Sequence, residues 1–439
     1  MDKVAWKIHG CWAFALIGAF VAGSQFARTS EKNLNSTEQT LSDRAAGGSS
    51  PSSSAGGGSA NNSASSRVNA TSGSGIEGEI SRIFNASSFD REGMTILATE
   101  AFRDPNPVKR RLAFSKLLEG MTPGNAAEIR DQLISLNAGG QEWRDFNYAW
   151  GALAGEEAFN QALLTDRKDL ESLMTGWAAS APAGAMAILD NLPADLLEQR
   201  GKFETSIVAG LADRDRDEAA SYVVKLASEG RENAHRLMDI VASETLRKEG
   251  HEAAAAWSQN LPDGPLKGEA MERIADTYAR RDPAAAAEWV GQFASEDYAT
   301  EAIEEVGQRW ARADPLTAVT WLDNLPSGEG QKAGLNSAFG DWEDRDPVAA
   351  GKYLMSMPPS DKRDSAISGF ANGYAYQDPE TSIAWASDIS DPELRTSTLT
   401  RAGQAYFRRN PEAAKTWLAT SGLSAEVQQA IQNPPRRRR

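Results

Sequence analysis

The chain has 439 residues, a formal charge of −15 and an isoelectric point near 4.9. That balance argues against nucleic acid as the main partner, because phosphate binding calls for a net basic surface. One cysteine, Cys11, and three histidines, His9, His235 and His251, provide no metal-ligand spacing and no HExxH pattern, so disulfides, cysteine catalysis and a zinc site are not expected.

Residues 1–29 read as an export segment. Lys3 and Lys7 precede an apolar run, Cys11 to Gly23, and small residues follow at Val21-Ala22-Gly23-Ser24 where a signal peptidase would cut. The run is short for a membrane span, which needs roughly 20 residues. Extension from Ile8 through Phe26 makes a marginal span, so a cleaved signal peptide and a retained N-terminal membrane anchor both stand, and either places the rest outside the cytoplasm. Residues 30–75, which include GGSSPSSSAGGGSANNSASS, almost lack large apolar side chains. They read as a disordered Ser/Gly-rich linker with a root-mean-square span of roughly 35–40 Å.

Helical modules are expected from residue 76 to 433, with 76–89 as a leading cap. Their clearest statement is RDPAAAAEW at 281–289 and ADPLTAVTW at 313–321. Prolines recur every 32 residues at Pro283, Pro315, Pro347, Pro379 and Pro411, which marks a repeat array. Asp282, Asp314, Asp346, Asp378 and Asn410 precede them. Asp or Asn accepts a hydrogen bond from the free N–H groups of a helix start, and proline at the next position has no N–H to leave unpaired. Each pair therefore opens a helix.

Six residues beyond each proline stands an aromatic residue: Trp289, Trp321, Tyr353, Trp385 and Trp417. LDNLP at 322–326 or SMPPS at 356–360 ends this first helix after roughly three turns. A second helix carries an apolar stripe at offsets of nought, three and seven: Met271, Ile274, Tyr278; Ile303, Val306, Trp310; Leu335, Ala338, Trp342; Ile367, Phe370, Tyr374; Leu399, Ala402, Tyr406. Neither helix buries its stripe alone, so the expected fold is all-α, a right- or left-handed α-solenoid of stacked helix-turn-helix modules.

The register extends backwards from His251, which occupies a proline slot, to Asp217, Pro182 and Gly155. Their intervals of 34, 35 and 27 residues total three periods of 32. Further steps reach Thr122-Pro123 and Asp90-Arg91, for about eleven modules. The final segment, SAEVQQAIQN at 424–433, has the polar face expected of a terminal cap. Pro434-Pro435 and Arg436 to Arg439 form a basic tail, read as solvated, or as a contact for an anionic surface such as a lipid headgroup or for an acidic patch of the same protein.

Chemistry-bearing patterns are few. ADRDRDEAA at 212–220 sets Asp213, Asp215 and Asp217 at alternate positions, but Glu218 replaces the glycine of a calcium loop and Val224 its bidentate glutamate. A charged loop between modules is the simpler reading. Neither a GxSxG elbow nor a GxxxxGK phosphate loop occurs, and no cofactor, catalytic or metal residue is assigned. The repeated tryptophans at a fixed slot of every module read as core rather than as a stacking ladder for sugars or proline-rich peptides.

The order of small, aromatic and proline residues resembles the tetratricopeptide-like and HEAT-like solenoids. It departs from the former in its 32-residue period, its clipped first helix and its lack of a W-x-x-L-G-x-x-Y signature. Units of the form W-x-x-x-D-P-x-A-A-x-x-x-W after an export signal and a Ser/Gly spacer look like uncharacterised exported bacterial repeat proteins. That resemblance implies the fold over about 90–431 and no functional residue. The expected function is a non-enzymatic cell-envelope scaffold that binds a protein or peptide partner through its solenoid surface. The alternatives are a structural spacer and a carbohydrate-active enzyme of the helical-barrel type, whose helix pairs are longer and close into a ring.

Overall fold

The computed structural model describes residues 91–165 and 169–433. The export segment, the linker, the leading cap and the arginine tail lie outside the described residues. Among those described every regular element is a helix, and no helix is long and apolar enough to cross a membrane.

The chain divides into two compact units at Ala138 and Gly139. The described part of the first holds α1 (Arg91–Arg103), α2 (Pro107–Glu119) and α3 (Ala126–Ser135). Here α1 packs on both α2 and α3, burying Met94, Leu97, Phe114, Leu117, Ile129 and Leu133. The division falls inside the module that starts at Thr122-Pro123, whose two helices lie on opposite sides of it.

The second unit opens with α4 (Gly140–Leu164), which breaks at Gly155, where φ is 50° and ψ is −116°. A Cβ there would stand 2.8 Å from Trp177 Nε1, so a glycine meets both the left-handed backbone and the close approach of the indole. The break is the module boundary expected at that residue. Alternating helices follow: α5 (Leu170–Ser180), α6 (Pro182–Ala187), α7 (Arg200–Arg214), α8 (Arg216–Ser228), α9 (Ala234–Glu249), α10 (His251–Gln259), α11 (Pro265–Arg281), α12 (Pro283–Gly291) and α13 (Thr300–Ala313). The series ends with α14 (Pro315–Asp323), α15 (Glu329–Arg345), α16 (Pro347–Ser356), α17 (Asp361–Tyr374), α18 (Pro379–Ser387), α19 (Pro392–Arg409), α20 (Pro411–Thr420) and α21 (Ala425–Gln432).

The aspartate caps form as expected. Asp282, Asp314, Asp346, Asp378 and Asn410 accept from the backbone N–H three residues on, at 2.9 to 3.2 Å. Proline holds the first position of each of these helices.

The odd-numbered helices from α5 to α21 each pack on the one before and the one after, forming one layer. The short even-numbered helices from α8 to α18 pack chiefly on the two flanking members of that layer, and touch each other through side chains, as where Trp257 of α10 donates to Asp217 of α8 at 2.9 Å. The alternation follows from composition. Glycine in the long helices lets backbones meet: a Cβ on Gly369 of α17 would fall 1.9 Å from the Asn336 carbonyl oxygen of α15. The short helices instead hold an aromatic residue that stacks on one of the long helix behind it. Every stripe residue expected in α11 to α19 is buried except Trp310 and Tyr374, which are partly exposed.

A recurring clamp closes four of the short helices, α10, α14, α16 and α18, whereas after α12 and α20 the same position holds Ala299 and Val427. The side chain sixteen residues beyond the proline slot donates to carbonyls at the end of the preceding short helix, which have no partner within it. Lys267 reaches the Gln259 carbonyl at 3.0 Å, Arg363 that of Leu354 at 3.2 Å, and Arg395 those of Ile389 and Ser390 at 2.8 and 3.2 Å. Gln331, almost wholly buried, serves Leu322, Asp323 and Leu325 with one amide nitrogen. Leu322 also accepts from the Leu325 N–H and Asp323 from Lys362, so Gln331→Leu strips its donor from the Leu325 carbonyl and is expected to cost about 1 kcal/mol of stability. Gln331→Lys, which restores a donor, should recover most of it. Equal urea midpoints for the leucine variant and the parent would refute the clamp.

Candidate functional site

The two layers present different surfaces. Ion pairs cross from one long helix to the next: Arg273 to Asp239, Arg309 to Asp276 at 2.7 Å, Arg312 to Asp341 at 2.8 Å, and His235 beside Glu269 at 3.4 Å. Burial alone would raise the Asp276 carboxyl. Hydrogen bonds from Arg280 and Glu305 and the charges of Arg309 and Arg280 outweigh it and hold Asp276 well below the usual carboxylate range. Burial beside Asp276 in turn raises Glu305. The pairing is incomplete, since burial and the charges of Glu269, Glu301 and Glu305 raise Glu272 on the same layer.

On the short-helix side the aromatic slots stack on the long helix behind them. Tyr278 meets Trp289, Trp310 meets Trp321, Trp342 meets Tyr353, Phe370 meets Trp385 and Tyr406 meets Trp417, with ring centroids 5.5 to 6.3 Å apart. Trp257 and Trp289 are buried, as a core role requires. Trp321, Tyr353, Trp385 and Trp417 are partly exposed. The expectation that Trp289, Trp321, Trp385 and Trp417 pack in the core therefore holds fully for Trp289 and only on one face for the other three. At Trp321, Tyr353, Trp385 and Trp417 one part of the ring meets solvent.

A groove of about 580 Å³ lies along α14. Trp310, Trp321 and Leu325 line it with Leu316, Thr317, Thr320 and Asn324. Its polar groups are already committed: Thr317 Oγ1 donates to Asp314 at 2.7 Å, Thr320 Oγ1 to the Leu316 carbonyl at 2.7 Å, and Asn324 Nδ2 to the Thr320 carbonyl at 2.8 Å. What remains toward solvent is mainly apolar. Leu316 is 55% exposed beside the two indoles.

Sequence reasoning overlooked Leu316. A signal was present: the residue after the proline is Ala284, Glu380 or Glu412 in other modules, whereas Leu316 and Val348 place large aliphatic groups there. Val348 is 80% exposed.

A second, polar cavity of about 300 Å³ gathers the acidic run, with Asp213, Asp215, Asp217 and Glu249 around Arg214, Arg216 and Lys248. Each carboxylate has a structural task. Asp213 accepts from Tyr148 at 2.5 Å and pairs with Lys248 at 2.7 Å. Burial would raise it, but those hydrogen bonds and the charges of Lys248 and Arg247 bring it below the usual range. Asp215 caps α8 through the N–H groups of Asp217 and Glu218. Asp217 accepts from Trp257 Nε1 at 2.9 Å, and Glu249 pairs with Arg216. A general acid needs a carboxyl held protonated near neutrality, and Asp213 is held the opposite way.

Among the described residues no group of three His, Cys, Asp or Glu side chains is placed to hold a metal ion. His235 lies beside Glu269, and His251 stacks on Tyr278 with centroids 4.5 Å apart. Comparison with protein-family models, with curated proteins and with solved structures finds no match.

Proposed function

We propose that the chain is a non-enzymatic binding scaffold that receives a protein or peptide partner on its short-helix layer. The observation that carries this reading is the α14 groove, where Trp310, Trp321 and Leu316 leave apolar surface open to solvent. Aromatic residues in a concave setting, ringed by groups that exclude water, are the usual energetic centres of protein interfaces. The ion-paired long-helix face and the committed carboxylates at Asp213 to Asp217 lend no comparable support to a catalytic reading. An exported, tethered scaffold fits the apolar segment at 11–23 and the Ser/Gly stretch at 30–75, so the cell envelope is the proposed setting.

The test is affinity capture from envelope extract with the full chain and two variants. Leu316→Glu places a charge at the mouth of the groove and is expected to lower recovery of the specific partner at least about tenfold. Glu301→Gln, an exposed change on the long-helix layer, should leave recovery unaltered. A partner recovered equally by all three would move the binding surface elsewhere. Recovery of nothing above background would favour a structural spacer.

A further inference from the structure

The groove along α14 selects its occupant through the hydrogen-bonding groups it offers. None of the residues that line it carries a charge. Trp310 and Trp321 form an aromatic floor, with ring centroids 5.9 Å apart and planes tilted by 41°, and Leu316 and Leu325 flank it. Three of its acceptors are already taken. The Leu316 carbonyl receives Thr320 Oγ1, the Thr320 carbonyl receives Asn324 Nδ2, and the Asp314 carboxylate at the cap receives Thr317.

Its donors are in a different state. Trp257 of α10 commits its indole N–H to Asp217, and Trp289 Nε1 is sealed away without a partner. Trp310 Nε1 and Trp321 Nε1 also have no acceptor among the described residues, but both indoles are partly exposed and neither nitrogen is buried without a partner. Trp321 Nε1 sits at the Leu325 end of the groove. A Cβ on Gly291, the last residue of α12, would stand 3.9 Å from that nitrogen and 3.8 Å from Leu325 Cδ2, so no side chain of α12 covers it.

A groove with free donors and committed acceptors fits a ligand that accepts but does not donate. An ordinary extended peptide and a carbohydrate both bring donors, and a donor buried without a partner costs free energy. A helical peptide spends its carbonyls within its own backbone and leaves the indole N–H groups unmatched. A proline-rich segment brings carbonyls alone. Proline has no N–H, its polyproline II backbone makes no internal hydrogen bonds, and its uncharged ring offers an apolar face to an indole.

We propose that the α14 groove docks a proline-rich segment of a partner protein in the polyproline II conformation. Its rings lie against Trp310 and Trp321, and its carbonyls accept from the two indole N–H groups. This assignment rests on the protein-binding reading and adds the chemistry of the partner. Because the segment is already extended before it binds, little conformational entropy is lost on docking.

The probes are fluorescein-labelled decaproline, a labelled Ser/Gly decapeptide and labelled chitohexaose, with anisotropy read against the full-length chain. Decaproline is expected to bind at least about tenfold more tightly than the other two, with an affinity indifferent to salt because no charge lines the groove. Leu316→Glu changes an exposed side chain, should retain its helical circular dichroism, and is expected to weaken decaproline at least about tenfold. Trp321→Phe keeps an aromatic ring but removes one donor, for an expected loss of about fivefold. Glu301→Gln should stay within about twofold.

Equal binding of decaproline and the Ser/Gly peptide, preference for chitohexaose, or decaproline binding untouched by Leu316→Glu overturns the assignment. If removal of residues 434–439 tightens decaproline about tenfold, the occupant is the chain's own Pro434-Pro435 stretch and the external partner falls. Loss of captured partner in Leu316→Glu, with no decaproline binding by the parent, would sink the proline chemistry while leaving the scaffold reading intact.

Discussion

Gly369→Ala is expected to split the unfolding of the repeat array. The added methyl would fall 1.9 Å from the Asn336 carbonyl oxygen, 2.7 Å from its carbon and 2.9 Å from its Cα, all backbone atoms. No side-chain rotation relieves that overlap, so α17 must move off α15. Overpacking of this kind costs about 3 kcal/mol. In a solenoid each module is stabilised by its neighbours, and loss of one seam uncouples the segments on either side. The modules from α17 onward should therefore melt in an earlier step than those before it. Urea unfolding followed by tryptophan fluorescence reads this directly, since Trp385 and Trp417 report on one side and Trp257 and Trp289 on the other. Gly201→Ala is the matched control. Its Cβ would have only Asn233 Nδ2 within reach, at 4.0 Å, so alanine there should be neutral or slightly stabilising through helix propensity. A single transition with an unchanged midpoint in Gly369→Ala would show that the seam tolerates separation.

Glu343→Gln is expected to stabilise the protein above neutral pH and to leave it nearly unchanged in mild acid. Glu343 is wholly buried in α15, against Gly373 of α17, whose Cβ would lie 2.2 Å from Glu343 Oε1. That oxygen has no hydrogen-bond partner. Oε2 is 3.5 Å from Gln377 Nε2. Burial raises the carboxyl, and the negative charges of Asp344 and Asp341 raise it further, to about 7 from an unperturbed 4.5. The folded state thus holds a proton that the unfolded chain has released. Stability falls as pH rises from about 4.5 through about 7, and the full penalty is present above that. The shift corresponds to about 3 kcal/mol at most. Glutamine carries no charge, so the variant should gain most of that amount at pH about 8 and little near pH 4.5. Parallel stability curves for variant and parent across this range would mean that Glu343 ionises freely in the fold.

The seam glycine and the buried glutamate differ in how far they were visible in the chain itself. Gly369 sits two residues beyond Ile367 in an apolar stripe, a place where a small residue signals close backbone approach. Glu343, in the run WEDRDP, looks like any charged residue at a helix end. Only the position of Gly373 on the next helix takes it out of water. The clamp residues Lys267, Gln331, Arg363 and Arg395 were equally obscure. They share a register position but not a residue type, because any side chain that brings a donor to those carbonyls performs the task.

The repeat itself could be read directly, since local rules write it. Asp before proline caps a helix, and a three-and-seven stripe makes one face apolar. Even the irregular start at Gly155 emerged by keeping the frame, and α4 breaks there. The partial exposure of Trp321, Trp385 and Trp417 could not be so read. Periodicity tells which residues share a face, but not whether a neighbouring short helix closes over it.

The sequence alone determined that the chain is an array of helical hairpins, where most modules begin, and which residues each hairpin turns inward. These depend on hydrogen bonds and side-chain periods within a few turns. The tertiary structure decided which inward residues remain open to a partner and which carboxylates are spent on neighbours. Those outcomes depend on distances between helices, and such distances are set by glycines and indoles a module away. Apolar surface therefore stays in the groove of α14, while arginine–carboxylate pairs link neighbouring long helices.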